Sequence, residues 1–174
     1  DLQTITHYSY DYRLTKYLAN AVWGMVNKHG FSGFDHKKIS IFNVGNGELL
    51  RYVPDTVKKV DCVERDSNLF MISSVIFSND KIKIHKNFSS LNDDYDLSVG
   101  VCGGLKSIIN PNIIDNIKIG GLMVVVVCNC LFKETTEEAV VARDVMNKKF
   151  NLIEAYELPN DVMRGYSLVA LKRI

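Results

Sequence analysis

The chain has 174 residues, the usual size of one domain, and its 21 Lys and Arg nearly balance 20 Asp and Glu, giving a formal net charge of +1. That balance argues against a strongly basic face built for duplex nucleic acid, so nucleic-acid binding stays open but has no support from charge. The longest apolar run, residues 120–130, is about half as long as a membrane-spanning helix, and no signal-type basic region precedes an apolar stretch at the N-terminus. We therefore expect a soluble, cytoplasmic protein that does not contact a membrane.

Potential metal ligands and nucleophiles are scattered along the chain. The four cysteines lie in apolar segments, where free thiols behave as small buried hydrophobes, and none has CxxC spacing. Cys128 and Cys130 share one face of a predicted strand, but no His/Cys pair completes a set of four ligands. We expect a reducing compartment, no disulfide and no metal. The histidines, too, have no acid or cysteine at triad spacing: His7, His29, His36 and His85.

The first half of the chain alternates between helical and strand periodicity. Apolar residues at steps of three and four predict an amphipathic helix that Gly30 ends. Asp66 or Ser67 is the expected N-cap of a second long helix. The predicted elements are a helix at 10–29, a strand at 38–44, a helical segment at 48–53, a strand at 59–64, a helix at 67–77 and a strand at 81–88.

The second half contains a doubly covered strand and a terminal strand pair. Residues 122–128 are apolar on both faces, which is typical of a central strand with helices on either side. The turn formers Pro159, Asn160 and Gly165 favour antiparallel pairing of the last two apolar runs. The predicted elements are a strand at 95–102, a short helix at 110–117 that Gly120-Gly121 ends, a strand at 122–128, a helix from Thr135 or Thr136 to 149, and strands at 152–158 and 166–171.

This order predicts an α/β domain with a doubly wound, mostly parallel seven-stranded sheet that ends in an antiparallel strand pair. No repeat or linker divides the chain, so we expect one domain, with an N-terminal helical segment at 1–37 and a Rossmann-like core at 38–174. Because the chain begins at Asp1, we expect upstream residues, an initiator methionine or a further domain, to be missing. Ligands of such sheets bind outside the C-terminal ends of the strands, at the switch point.

A glycine-containing turn and an acid stand at that edge. Gly45 and Gly47 flank Asn46 directly after the first strand, where the lack of a Cβ lets a ligand approach the backbone. Glu64 ends the second strand, 19 residues after Gly45, where a carboxylate accepts hydrogen bonds from both hydroxyls of a ribose. Together the turn and the acid favour a nucleoside site over a purely structural turn.

These features and the terminal strand pair resemble the class I S-adenosylmethionine-dependent methyltransferases over nearly the whole chain. Asn43 stands where that superfamily most often has an acid, and Leu49 where it has a third glycine. The resemblance implies a Rossmann-like fold and S-adenosylmethionine as cofactor. It also implies a set of cofactor-binding residues: Asn43, Gly45, Asn46, Gly47, Glu64 and Arg65, with Asn87 and Phe88 at the adenine.

The corner after the fourth strand faces the acceptor in that superfamily. Enzymes that methylate adenine or glutamine amines have an Asn/Asp-Pro-Pro-aromatic motif there, whereas this chain has Val101-Cys102-Gly103-Gly104. Val101, Cys102 and Gly103 are the substrate-side candidates, and no catalytic residue is assigned. The C-terminal stretch is similar to adenine-specific DNA methyltransferases of the restriction-modification type. Residues 45–64 look like the aminopropyltransferases that make spermidine, which use an acid after the fourth strand.

Three hypotheses remain open. The first is a methyltransferase of unidentified acceptor, in which alignment of the nucleophile drives in-line methyl transfer. The second is a methyltransferase-like subunit that has lost catalysis and binds a partner subunit, which the departures at Asn43, Leu49 and the Val101–Gly104 corner favour. Aminopropyl transfer is the third. The sequence identifies no acceptor and no oligomeric state.

Overall fold

The computed structural model describes residues 12–29, 33–45, 47–101 and 105–174. The helices are α1 (Tyr12–Lys28), α2 (Ser67–Phe77), α3 (Leu105–Ile108), α4 (Pro111–Ile114), α5 (Cys130–Lys133), α6 (Glu137–Lys149) and α7 (Asn160–Met163), with 3-10 helices at Glu48–Tyr52 and Phe88–Ser90. The strands are β1 (Lys38–Phe42), β2 (Lys59–Val63), β3 (Ile82–His85), β4 (Tyr95–Val101), β5 (Ile117–Cys128), β6 (Phe150–Glu157) and β7 (Tyr166–Arg173).

The seven strands form one sheet in the order β3-β2-β1-β4-β5-β7-β6. The first five pair in parallel, and β7 runs antiparallel to both of its neighbours. The order reverses between β1 and β4, which makes this pair the switch point of the sheet. The prediction of a doubly wound sheet with a terminal antiparallel pair is confirmed.

Apolar side chains alternate to either side of the sheet and form two core layers. In β5, Val124 and Val126 face the layer under α1, whereas Val125 and Val127 face the layer under α3 to α6. This arrangement explains why the sequence of β5 is apolar on both faces. Trp23 packs α1 onto the first layer, and its indole nitrogen donates a hydrogen bond to the Leu49 carbonyl at 3.0 Å.

Several predicted boundaries were wrong. The segment predicted as helical after the glycine turn is a 3-10 helix of five residues, and β3 covers four residues rather than eight. Gly120 and Gly121, predicted to end a helix, lie inside β5, because that strand begins early and is distorted there. Both cap predictions are settled: Asp66 caps α2 through the Asn68 and Leu69 amides, and Thr136 caps α6.

Within the described part of the chain, no helix is long and apolar enough to cross a membrane. The same residues contain no group of three or more His, Cys, Asp or Glu side chains arranged to hold a metal ion. Cys62, Cys128 and Cys130 are free thiols.

Candidate functional site

The loop after β1 and the residue after β2 meet at the switch-point edge of the sheet. The Gly45 amide donates a hydrogen bond of 2.8 Å to Oε1 of Glu64, and the Asp66 amide donates one of 3.1 Å to Oε2. The Glu64 amide donates to the His85 carbonyl and so continues the β2–β3 ladder past the strand end. Gly45 and Glu64 therefore lie in direct contact, and their binding of a cofactor stays a prediction.

Glu64 is a buried acid, with 7% of its surface exposed. Burial raises the pKa of its carboxyl above the ordinary range, and hydrogen bonds from the Asp66, Gly45 and Arg65 amides oppose that shift. A carboxylate has about four lone-pair directions, so about one acceptor direction remains after the Gly45, Asp66 and Arg65 bonds. One hydroxyl group of a ligand fits that remaining capacity.

Gly45 and Gly47 both have positive φ, but they differ in what surrounds them. Gly45, at φ +62°, has nothing within 4 Å of the position that a Cβ would take. A Cβ on Gly47, at φ +86°, would lie 2.1 Å from the Phe77 ring. The space at Gly45 suits a ligand, whereas Gly47 has a packing explanation, and a cofactor contact at Gly47 stays a prediction.

Asn43 ties the ends of β1 and β4 together across the switch point. Its backbone is left-handed, at φ 57°, and its side-chain amide donates a 2.8 Å hydrogen bond to the Val101 carbonyl. The backbone amide of Asn43 donates a hydrogen bond to the Val63 carbonyl in β2. An ionised carboxylate has no proton to donate to a carbonyl. The amide at this position therefore has a structural role that the acid commonly found there in the superfamily cannot perform.

Two residues of α2 support the loop and were not predicted from sequence. Ser73, fully buried, donates a 3.0 Å hydrogen bond to the Gly45 carbonyl, and Phe77 packs on Gly47. A buried serine in a helix of mostly apolar residues was the available signal for Ser73. Nothing in the local pattern distinguishes Phe77 from an ordinary core residue.

The adenine-side candidates stand where β2 and β3 end. The Arg65 guanidinium lies 5.9 Å from the centre of the Phe88 ring, and Phe88 is 8% exposed. Asn87 is exposed and precedes the 3-10 helix without a capping hydrogen bond from its side chain. The structure thus pairs Arg65 with Phe88, whereas among the described residues the Asn87 side chain makes no capping hydrogen bond that would position it.

Three other predicted site residues, Asn46, Cys102 and Gly103, lie outside the described residues. Val101 is buried at the end of β4, where its carbonyl accepts the hydrogen bond from the Asn43 side-chain amide. Phe42 and Leu49 belong to the two core layers, and Phe42 packs against Gly100, where a Cβ would lie 2.5 Å from its ring.

A second polar cluster lies beneath this edge, on the face of the sheet that carries α3 to α6. Asp61, buried in β2, accepts a 2.6 Å hydrogen bond from the Tyr95 hydroxyl and lies 3.1 Å from the Lys59 amine and 3.3 Å from the His85 ring. Burial and the bond to Asp61 raise the pKa of Tyr95. Three side chains from three strands thus bond to Asp61, which indicates a structural network.

Comparisons with known proteins agree with the fold. No protein-family model matches the chain, and no curated protein matches it by sequence. Among solved structures, it is similar to the N-methyltransferase NodS from Bradyrhizobium japonicum WM9 in complex with S-adenosyl-L-homocysteine, with a TM-score of 0.69 and 10% identity over 98% of this chain and 97% of that one.

Two further structures show the same likeness. A putative S-adenosylmethionine-dependent methyltransferase from Listeria monocytogenes has a TM-score of 0.65 and 11% identity, covering 90% of this chain and 99% of that one. Magnesium protoporphyrin IX methyltransferase from Synechocystis PCC 6803 with bound S-adenosylmethionine has a TM-score of 0.67 and 9% identity, covering 92% and 80%. The chain therefore has the Rossmann-like methyltransferase fold.

Proposed function

We propose that this chain is an S-adenosylmethionine-dependent methyltransferase whose cofactor binds between the loop after β1 and Glu64. The observation that carries the proposal is the contact between the buried Glu64 carboxylate and the Gly45 amide at the switch point. Ligands of doubly wound sheets bind at this edge, and an acid at the end of the second strand is suited to ribose hydroxyls. The neighbouring structures with bound S-adenosylmethionine or S-adenosylhomocysteine support the choice of cofactor.

The chain's own residues would bind the cofactor and orient it towards the acceptor. Glu64 accepts a ribose hydroxyl with its remaining lone-pair direction, and the open side of Gly45 lets the ligand approach the backbone. Arg65 and Phe88 flank the expected place of the adenine. S-adenosylmethionine supplies an activated methyl group, so the protein's main task is to align the acceptor.

We place the binding site of the methyl acceptor at the corner after β4. Val101 reaches that corner, and its carbonyl is already occupied by Asn43. The sequence of that corner, Val101-Cys102-Gly103-Gly104, contains no acid or histidine, which favours an acceptor that is nucleophilic without a general base, such as a neutral amine or a thiolate.

Calorimetric titration of the intact chain with S-adenosylmethionine tests the proposal. We expect saturable binding that Glu64→Ala abolishes and that Glu157→Ala, a substitution of an exposed acid on β6, leaves unchanged. Failure to bind at millimolar concentration would contradict the enzyme and favour the methyltransferase-like subunit that binds a partner. Retained binding in Glu64→Ala would contradict the site.

A further inference from the structure

A cleft of about 400 Å³ opens at the edge of the sheet opposite the Gly45–Glu64 site. It lies where the parallel strands begin, beside the starts of β1, β4 and β5 and the end of β7. With β1 at five residues and β4 at seven, and about 3.3 Å of rise per residue, the two edges are roughly 15–20 Å apart. The cleft is therefore separate from the proposed cofactor site.

A distortion in β5 creates this cleft. Tyr95 pairs with Ile117 and Leu97 pairs with Leu122, so two steps along β4 correspond to five along β5. The extra residues bulge out of the ladder, and Gly120 takes φ +82° to allow the turn. A Cβ on Gly121 would lie 2.8 Å from the Lys118 carbonyl, so only glycine fits there. The bulge aims Lys118 and the 74% exposed Ile119 towards the cleft.

The lining of the cleft carries a surplus of positive charge. Lys37, Lys118 and Lys172 line it together with one carboxylate, Asp96, which leaves a formal surplus of +2 with His29 neutral. Both Asp96 oxygens are engaged, one by the Lys38 amide at 2.9 Å and one by the Lys118 amine at 3.1 Å.

The acid bonded to His29 in the lining is itself paired with a lysine outside the cleft. Glu154 does not line the cleft, and its two oxygens bind the Lys28 amine at 2.7 Å and the His29 ring at 2.5 Å. Apolar side chains complete the lining, among them Ile119 and Ile153. The cleft thus combines cationic groups with an apolar surface.

We propose that this cleft binds a small organic phosphate, a phosphate monoester with an apolar or aromatic body. Lysine amines act as point charges for phosphate oxygens, and the isoleucine side chains offer a surface for the body. The volume lies within the usual range of small-molecule sites, about 300–1,000 Å³. This inference goes beyond the proposed methyl transfer and does not depend on it.

The test is an amide NMR titration of the intact chain with phenyl phosphate at constant ionic strength. We expect saturable shifts at residues 118–122 and 153, with weaker binding of inorganic phosphate, which lacks the body, and of benzyl alcohol, which lacks the charge. The double variant Lys118→Gln/Lys172→Gln should bind phenyl phosphate about tenfold or more weakly.

A charge-matched control is Lys133→Gln/Lys148→Gln, which removes two exposed lysines elsewhere and should leave the affinity within about twofold. The amide spectra of both variants show directly whether the fold is kept. Absence of shifts at residues 118–122, or equal affinity in the two double variants, would overturn the proposal. Tighter binding of a single-stranded octanucleotide at the same residues would overturn the assignment to a small molecule.

Discussion

The Glu64 carboxylate accepts a 2.8 Å hydrogen bond from the Gly45 amide, and this bond joins the end of β2 to the loop after β1. Glu64 therefore holds the loop in shape as well as offering an acceptor to a ligand. Because its second oxygen bonds the Asp66 amide next to the N-terminus of α2, one side chain positions the loop and the start of the helix.

Alanine substitutions at Gly45 and Gly47 should destabilise the protein by different amounts. Both positions have positive φ, which costs an L-residue roughly 1–2 kcal/mol. Only at Gly47 does the new Cβ also collide with Phe77, which adds about 1–3 kcal/mol of overpacking. Urea unfolding should show the larger loss for Gly47→Ala. Equal losses would mean that the Phe77 ring moves aside at no cost.

Replacing Asn43 by aspartate should be destabilising, although the superfamily most often has an acid there. The substitution removes the donor to the Val101 carbonyl and places two acceptors face to face, at a cost of about 1–3 kcal/mol at pH 7. Since a protonated carboxyl can donate, the loss should shrink as the pH falls towards about 4. Asn43→Gly, which keeps the left-handed backbone without the clash, is the control and should lose less at pH 7.

Removing the Tyr95 hydroxyl should weaken the buried network around Asp61. The hydroxyl lies 2.6 Å from an Asp61 oxygen, and a hydrogen bond to a charged group contributes roughly 1.5–3 kcal/mol. We expect Tyr95→Phe to lower the free energy of unfolding by about 2 kcal/mol. Tyr156→Phe, at a 48% exposed position in β6, should have almost no effect. A comparable loss in both variants would rule out a specific contribution from the Asp61 bond.

The Asp93 ion pairs should make stability fall in acid. The bond from the Lys38 amine, together with those from the Asp94 amide and Lys59, lowers the pKa of Asp93 to about 2 against the opposing effect of burial. Because the native pKa lies below the unfolded value of about 3.9, the stabilisation is complete above that value and disappears as the pH falls towards 2.

The unfolding free energies of the wild-type protein and Asp93→Asn should therefore differ at pH 6 and converge near pH 2. Asp144→Asn is the control, because the Asp144–Lys148 pair is largely exposed and should contribute little at either pH. A difference between wild type and Asp93→Asn that stays constant with pH would contradict the role of these ion pairs.

The doubly wound sheet with its terminal antiparallel pair and the closeness of Gly45 to Glu64 were predictable from local sequence. The alternation of elements and the apolar pattern of β5 indicate a doubly wound sheet, and the spacing of Gly45 and Glu64 indicates their meeting. Both features depend on where the strands begin and end, which the local sequence pattern indicates directly.

Other features depend on contacts between distant residues and were missed. The packing of the Phe77 ring on Gly47 was not predicted, because no local pattern records a partner 30 residues away. Gly120-Gly121 suggested a helix end, because the bulge between β4 and β5 exists only once the two strands pair. Asn43 looked like a defect in a motif, and its amide proved to bridge two strands.

Amide NMR of the intact chain titrated with S-adenosylmethionine is the most direct test of cofactor binding between the loop after β1 and Glu64. We expect saturable shifts at Gly45, Glu64 and Asp66, the residues joined by the Glu64 carboxylate, and their loss in Glu64→Ala. S-adenosylhomocysteine should compete at the same amides. No shift at these three amides with millimolar S-adenosylmethionine, or shifts confined to other residues, would contradict a cofactor site at this edge of the sheet.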